Sequence, residues 1–129
     1  MPSTQDLPAV RAIPQNAPWT QSWWHARHQE KKALAETTRV EVAFLGDSIT
    51  HGFESEAGKD AWNKFFACRK ALNLGFSADR TEHLLWRVKN GALDDAQPKI
   101  AVVLIGTNNL SYRWDHPSRV AGGMEVRVK

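Results

Sequence analysis

Three short apolar runs, each closed by a glycine, constrain this chain most. They occupy residues 40–45, 71–74 and 100–105, and Gly46, Gly75 and Gly106 follow them. Runs of that length, rich in β-branched and aliphatic residues, read as strands buried on both faces. Around them the pattern turns helical. A helix is expected over 18–36, with Trp19, Trp23 and Trp24 as its apolar patch. Asn16 or Thr20 would cap it, and Lys31 and Lys32 suit its C-terminal end. A second helix is expected over 60–70, with Trp62, Phe65 and Phe66 turned inward. A third is expected over 79–90, with the stripe Leu84, Leu85 and Val88, and Gly91 stops it. Pro117 opens a last helix through Val120, Met124 and Val128, weakened by Gly122 and Gly123. Strands alternating with helices in this way make an α/β chain with a parallel sheet.

The 129 residues suit one domain. Residues 1–16 carry Pro2, Pro8 and Pro14 among polar neighbours and read as an extended N-terminal arm. Residues 17–129 form the rest as part of a single domain. The net charge is +3 from 17 basic and 14 acidic residues, too mild and too evenly spread for a nucleic-acid binder. Cys68 is the single cysteine, so no internal disulfide forms and the redox compartment stays open. No apolar run approaches the roughly 18 residues of a membrane span. Pro and Gln stand where an export signal would carry its apolar stretch, so a cytoplasmic protein is expected.

Ligands of parallel sheets bind beyond the C-terminal ends of the strands. Here those ends carry Gly46-Asp47-Ser48-Ile49, Asn73-Leu74-Gly75-Phe76 and Gly106-Thr107-Asn108-Asn109. Ser48 would sit at a strand-to-helix turn, where unpaired N–H groups favour negative charge. Gly46 lets the chain turn tightly, with Asp47 beside it. Gly75 leaves its backbone N–H open to a ligand oxygen, and Asn108 offers a side-chain amide. A hydroxyl nucleophile beside convergent donors is an oxyanion-hole layout. Taken singly, each piece has a plain structural reading: Gly-Asp-Ser as a turn, Gly75 as a strand end, Gly-Thr-Asn-Asn as a helix cap. Their occurrence at three successive strand ends, in order, carries the weight. Residues 46–52 lack the glycine spacing of a dinucleotide fingerprint and the Gly-Lys-Ser/Thr ending of a phosphate loop.

The stretches Phe44-Leu45-Gly46-Asp47-Ser48-Ile49-Thr50, Ala71-Leu72-Asn73-Leu74-Gly75-Phe76 and Gly106-Thr107-Asn108-Asn109 resemble the first three blocks of the SGNH (GDSL-type) hydrolases. Within that superfamily the resemblance is nearest to the catalytic subunits of platelet-activating factor acetylhydrolase Ib. His83-Leu84-Leu85-Trp86-Arg87-Val88-Lys89-Asn90-Gly91 and Val120-Ala121-Gly122-Gly123-Met124-Glu125 continue it, so it runs from about Val40 to Val128. The resemblance implies a three-layer α/β/α sandwich with a flavodoxin-like parallel sheet, incomplete at the C-terminus. It implies Ser48 as nucleophile, with an oxyanion hole of the Ser48 and Gly75 N–H groups and the Asn108 amide. It implies no metal and no organic cofactor, a small ester (acetyl among the acyl groups) of a lipid or carbohydrate as substrate, and a homodimer interface.

The same resemblance places the base in an Asp-x-x-His motif well after the third block, and the sequence reaches Lys129 before one. The chain is therefore expected to be nearly inactive by itself. The other histidines are weak substitutes. His51 lies one turn after Ser48 and would rise over the rim of the site. His116 follows Asp115 directly and reads as helix entry before Pro117. His83 reads as a packing or site-wall residue. His25 and His28 have metal-ligand spacing without a third ligand and read as a solvated helix face. With three strands the first lies centrally, which leaves 100–105, written as an interior strand, on an edge that invites pairing. Two functions stay open: the N-terminal portion of an SGNH esterase, or a non-catalytic binding or dimerising module.

Overall fold

The computed structural model describes residues 7–113 and 115–128; residues 1–6 of the expected arm lie outside them. Three parallel strands, β1 (Val42–Gly46), β2 (Ala71–Gly75) and β3 (Ile100–Leu104), form one sheet in the order β2-β1-β3. In register, Gly46 stands opposite Gly75 on one side and Leu104 on the other. All three strands therefore end at one level, and the segments that follow them emerge at the same edge of the sheet.

The helices are α1 (Trp24–Thr37), α2 (Ser48–His51), α3 (Lys59–Phe65), α4 (Thr81–Lys89), α5 (Thr107–Arg113) and α6 (Pro117–Val128). Side chains alternate across a strand, so β1 serves two layers. Ala43 and Leu45 join Leu72, Leu74, Ala35 of α1 and Leu84 of α4 in the main core, with Met124 of α6 against it. Phe44 points to the other face, where it meets Trp62 at 5.3 Å and Phe66 at 4.9 Å. The result is helices on both faces of a parallel sheet, the α/β/α plan.

Several expectations need correction. Helix α1 begins six residues later than Pro18, because Pro18–Thr20 closes a separate 3-10 turn. Thr20 Oγ1 donates to Ala17 O at 2.6 Å within that turn and caps nothing. Phe65 is exposed and leaves the inner side of α3 to Trp62 and Phe66. His28 is buried rather than solvated: it lies over Trp24 and Trp86, and its Nε2 reaches Asn90 O at 3.2 Å. Strand β3 is not buried on both faces. Ile100, Val102 and Leu104 are 58%, 42% and 49% exposed along an edge with no further strand among the described residues.

The segment before α1 packs rather than trailing. Ala9 is buried and its carbonyl accepts from Thr81 Oγ1 at 2.8 Å. Gln15 Nε2 donates to Ala78 O at 3.1 Å and approaches His83 Nδ1 at 3.2 Å. No helix among the described residues is long and apolar enough to cross a membrane.

Candidate active site

Ser48 is exposed as the first residue of α2, directly after β1. The buried Asp47 caps this short helix, its Oδ1 accepting from Ile49 N–H at 3.0 Å. Its Oδ2 is buried with no hydrogen-bond partner among the described residues. A side chain on either flanking glycine would break the site's backbone packing. A Cβ on Gly46 would run into Thr50 Oγ1 and approach Leu104 O to 2.7 Å. A Cβ on Gly75 would run into His51 N and approach the Thr50 carbonyl carbon to 2.6 Å. The glycines let α2 fold back over the ends of β1 and β2.

Gly75 is committed elsewhere as a donor. Its N–H donates to Asn73 Oδ1 at 2.8 Å, and Asn73 Nδ2 donates to Thr50 O at 2.8 Å. This corrects the expectation of an open N–H at Gly75: the neighbouring asparagine takes it. In the loop that follows, Ala78 holds φ 72°, and among the described residues its N–H has no partner. Asn108 is buried after β3, and its Nδ2 donates to Asp79 O at 2.9 Å. One of its two N–H groups thus holds the loop after β2, and the other carries no hydrogen bond among the described residues.

Ser48 lines a depression of about 310 Å³ with His51, Glu54, Ser55 and Ser77. Gly75 and Asn108 lie outside that lining. His51 Nδ1 accepts from Ser77 N–H at 3.1 Å and lies 3.0 Å from Ser77 Oγ. A ring whose Nδ1 accepts carries its proton on Nε2, so the free edge of His51 is a donor. Burial, aided by the Arg27 charge, holds His51 down to about 4, so it is neutral near pH 7. Among the described residues no histidine nitrogen bonds the Ser48 hydroxyl. Beside the depression, Arg27 forks onto Glu54 at 3.0 and 2.5 Å, and Lys31 adds a contact at 3.2 Å. Burial opposes ionisation of Glu54, but the Arg27 and Lys31 contacts outweigh it and hold the carboxyl down to about 2.

Two residues that the sequence reading passed over frame this site. Arg87 is fully buried. It donates to Leu74 O at 2.8 Å, Gly46 O at 3.2 Å and Asp79 Oδ2 at 2.9 Å, with the Phe76 ring 3.9 Å away. It thereby ties two strand ends to the loop carrying Ser77 and Ala78. Burial pushes Asp79 up to about 6, opposed by Arg87 and by Trp24 Nε1, which donates at 2.7 Å. Asn109 accepts from Thr81 N–H at 3.0 Å and donates to Asp115 Oδ2 at 3.1 Å, so it caps α4 from the first turn of α5. A buried polar residue inside an apolar stripe, as Arg87 is, was the available signal. His83 is fully buried; its Nδ1 accepts from Arg80 N–H at 2.9 Å, and its Nε2 has no partner among the described residues. His116 is exposed and bonds Ser118 beside Pro117, a helix-entry role. His25 packs on Trp24 and Trp86, and no cluster of three metal-ligating side chains stands among the described residues.

Known proteins resemble this chain in sequence and in fold. Residues 44–126 match the model of the GDSL-like Lipase/Acylhydrolase family. A "Platelet-activating factor acetylhydrolase IB subunit beta homolog" from Drosophila melanogaster is 45% identical over 87 residues, covering 67% of this chain and 37% of that protein. The human "Platelet-activating factor acetylhydrolase IB subunit alpha1" is 32% identical over 127 residues, covering 98% of this chain and 52% of that protein. Among solved structures, AlinE4, "a SGNH-hydrolase family esterase", superposes with a TM-score of 0.55 at 26% identity, covering 70% of this chain and 51% of that one. The chain thus spans about half the length of the relatives it matches. Three parallel strands ending at one level, a serine on the turn after the first, and a family match across all three strand ends place this chain in the GDSL-like lipase/acylhydrolase family of SGNH hydrolases.

Proposed function

We propose that the chain carries the nucleophile portion of a serine hydrolase that cleaves small acyl esters, acetyl esters included. The observation that supports it most is the exposed Ser48 hydroxyl at the N-terminus of α2, on the C-terminal edge of a parallel sheet. Ser48 Oγ attacks the acyl carbon, the ester C–O bond breaks to release the alcohol, and water then cleaves the acyl-serine; the oxyanion of each step draws on the Ser48 N–H and the second N–H of Asn108. Gly75 contributes close packing beneath the turn that carries Ser48. Family membership supports the reaction class.

Attack requires a base for the serine proton. His51 presents a protonated Nε2, and among the described residues no histidine bonds the Ser48 hydroxyl. The chain as it stands is therefore expected to turn over esters poorly, since loss of one triad member costs on the order of a million-fold in kcat. Hydrolysis of p-nitrophenyl acetate tests both statements. The 129-residue chain should match Ser48→Ala in buffer alone. Imidazole supplied in solution should then raise the rate of the chain above that of Ser48→Ala. Fast turnover without imidazole, lost in Ser48→Ala, would show a working base in the chain. Equal imidazole response from both proteins would remove Ser48 from the nucleophile's role.

A second reading, an association module, has one observation in its favour: the exposed apolar edge of β3. Light scattering across a concentration series checks it, and a monomer at all concentrations counts against it.

A further inference from the structure

Next to the Ser48 depression lies a second hollow of about 540 Å³, and His51 and Ser77 line both. Its apolar lining is Trp19, Trp23 and Ala26. Trp19 is 59% exposed, an unusual state for the largest apolar side chain. Trp23 is held in place: its ring lies 6.0 Å from Trp19, 5.5 Å from His51 and 6.4 Å from Phe76. The rim is polar. Among the described residues, the Ser22 hydroxyl and the Glu30 carboxylate carry no hydrogen bond or ion pair. The His51 Nε2–H is also an open donor.

We infer that this hollow binds the pyranose ring of a carbohydrate, so that the alcohol part of the ester is a sugar. The inference rests on the reading of Ser48 as nucleophile, since the shared His51 and Ser77 put the two hollows in continuity. An indole face is electronegative and attracts the C–H-bearing face of a pyranose, while the hydroxyls at the ring edge need donors and acceptors around the platform. Ser22, Glu30 and His51 supply both kinds. An acyl chain would ask for an apolar tunnel instead, and here Ser22, Arg27, Glu30, His51 and Ser77 stand beside Trp19, Trp23 and Ala26. A phosphate-bearing headgroup would ask for a free cation. Arg27, in the same lining, is already engaged by Glu54 and by Gly75 O at 3.0 Å.

Calorimetric titration of the 129-residue chain with methyl β-D-xylopyranoside, its acetylated form and phosphocholine decides the matter. Saturable binding of the pyranosides, weakened about tenfold in Trp19→Ala and weakened in Glu30→Gln, is expected. Trp19 is exposed, so Trp19→Ala should keep its urea midpoint, and Ser22→Ala gives a second rim variant. No saturation by either pyranoside, equal affinity in Trp19→Ala, or binding of phosphocholine in preference to the sugars would overturn the inference. Imidazole-rescued hydrolysis without pyranoside binding would sink this inference alone. Pyranoside binding without rescue would sink the nucleophile reading and leave the hollow a sugar site.

Discussion

Arg87 shows how one residue can organise a site without touching substrate. Its guanidinium answers two strand-end carbonyls and the Asp79 carboxylate at once, with both side chains of the pair fully buried. Replacing it with methionine leaves Asp79 buried without its cation. We expect a loss of about 3–5 kcal/mol for Arg87→Met, as for other broken buried pairs. Urea unfolding measures it, and pairing it with Asp79→Asn should recover part of the loss. Ala78 makes the opposite case. Its φ of 72° costs an alanine about 1–2 kcal/mol. Ala78→Gly should therefore raise stability by about 0.5–1 kcal/mol after the extra freedom that glycine gives the unfolded chain. An unchanged or lower urea midpoint would contradict that.

At the scale of elements, β3 carries an interior strand's composition on an edge. Val102→Lys puts a charge in the middle of its exposed face. It should suppress any self-association seen by light scattering while changing the unfolding free energy by less than about 0.5 kcal/mol. The strands themselves were legible to within two residues, because glycine-closed apolar runs have no helical alternative of that length. The order β2-β1-β3 and the position of Ser48 on the turn after β1 were legible too. The start of α1 was not. Thr20 spends its hydroxyl on its own 3-10 turn, and Trp23 occupies the cap position without a side-chain bond. Arg87 and Asn109 were illegible for a different reason. A polar residue's burial depends on its partners, and Gly46 and Thr81 lie 41 and 28 positions away. The open donor expected at Gly75 failed on a purely local competitor, Asn73, two residues upstream.

For the whole molecule, buried histidines set the response to acid. Burial holds His51 down to about 4 and His83 down to about 3, and lowers His28 from its ordinary 6.5. Between those values and 6.5 the unfolded chain binds more protons than the native one. The stabilisation is thus complete above pH 6.5 and is lost as the pH falls through the native values. Glu54, held down to about 2, adds a loss in the same direction below its ordinary 4.5. Asp79 runs the other way: raised to about 6, it favours the native state as the pH falls from 6 toward 3.8, offsetting part of the histidine effect. The urea midpoint should fall from pH 6.5 to 4, and less steeply in His51→Gln. A midpoint that held or rose over that range would show that burial does not lower these histidines below their ordinary 6.5.

The unequal standing of the three strands has a consequence for isotope exchange. Strand β1 is paired on both sides over all five of its residues, whereas among the described residues β3 meets β1 alone. In a parallel edge strand, successive amides point alternately toward the neighbour and toward solvent. Deuterium uptake should therefore oscillate residue by residue along β3, fast and slow in turn, while β1 exchanges only when the whole sheet opens. A fourth strand joining from another chain would silence the oscillation, so the uptake pattern of five amides reports on whether anything has docked there.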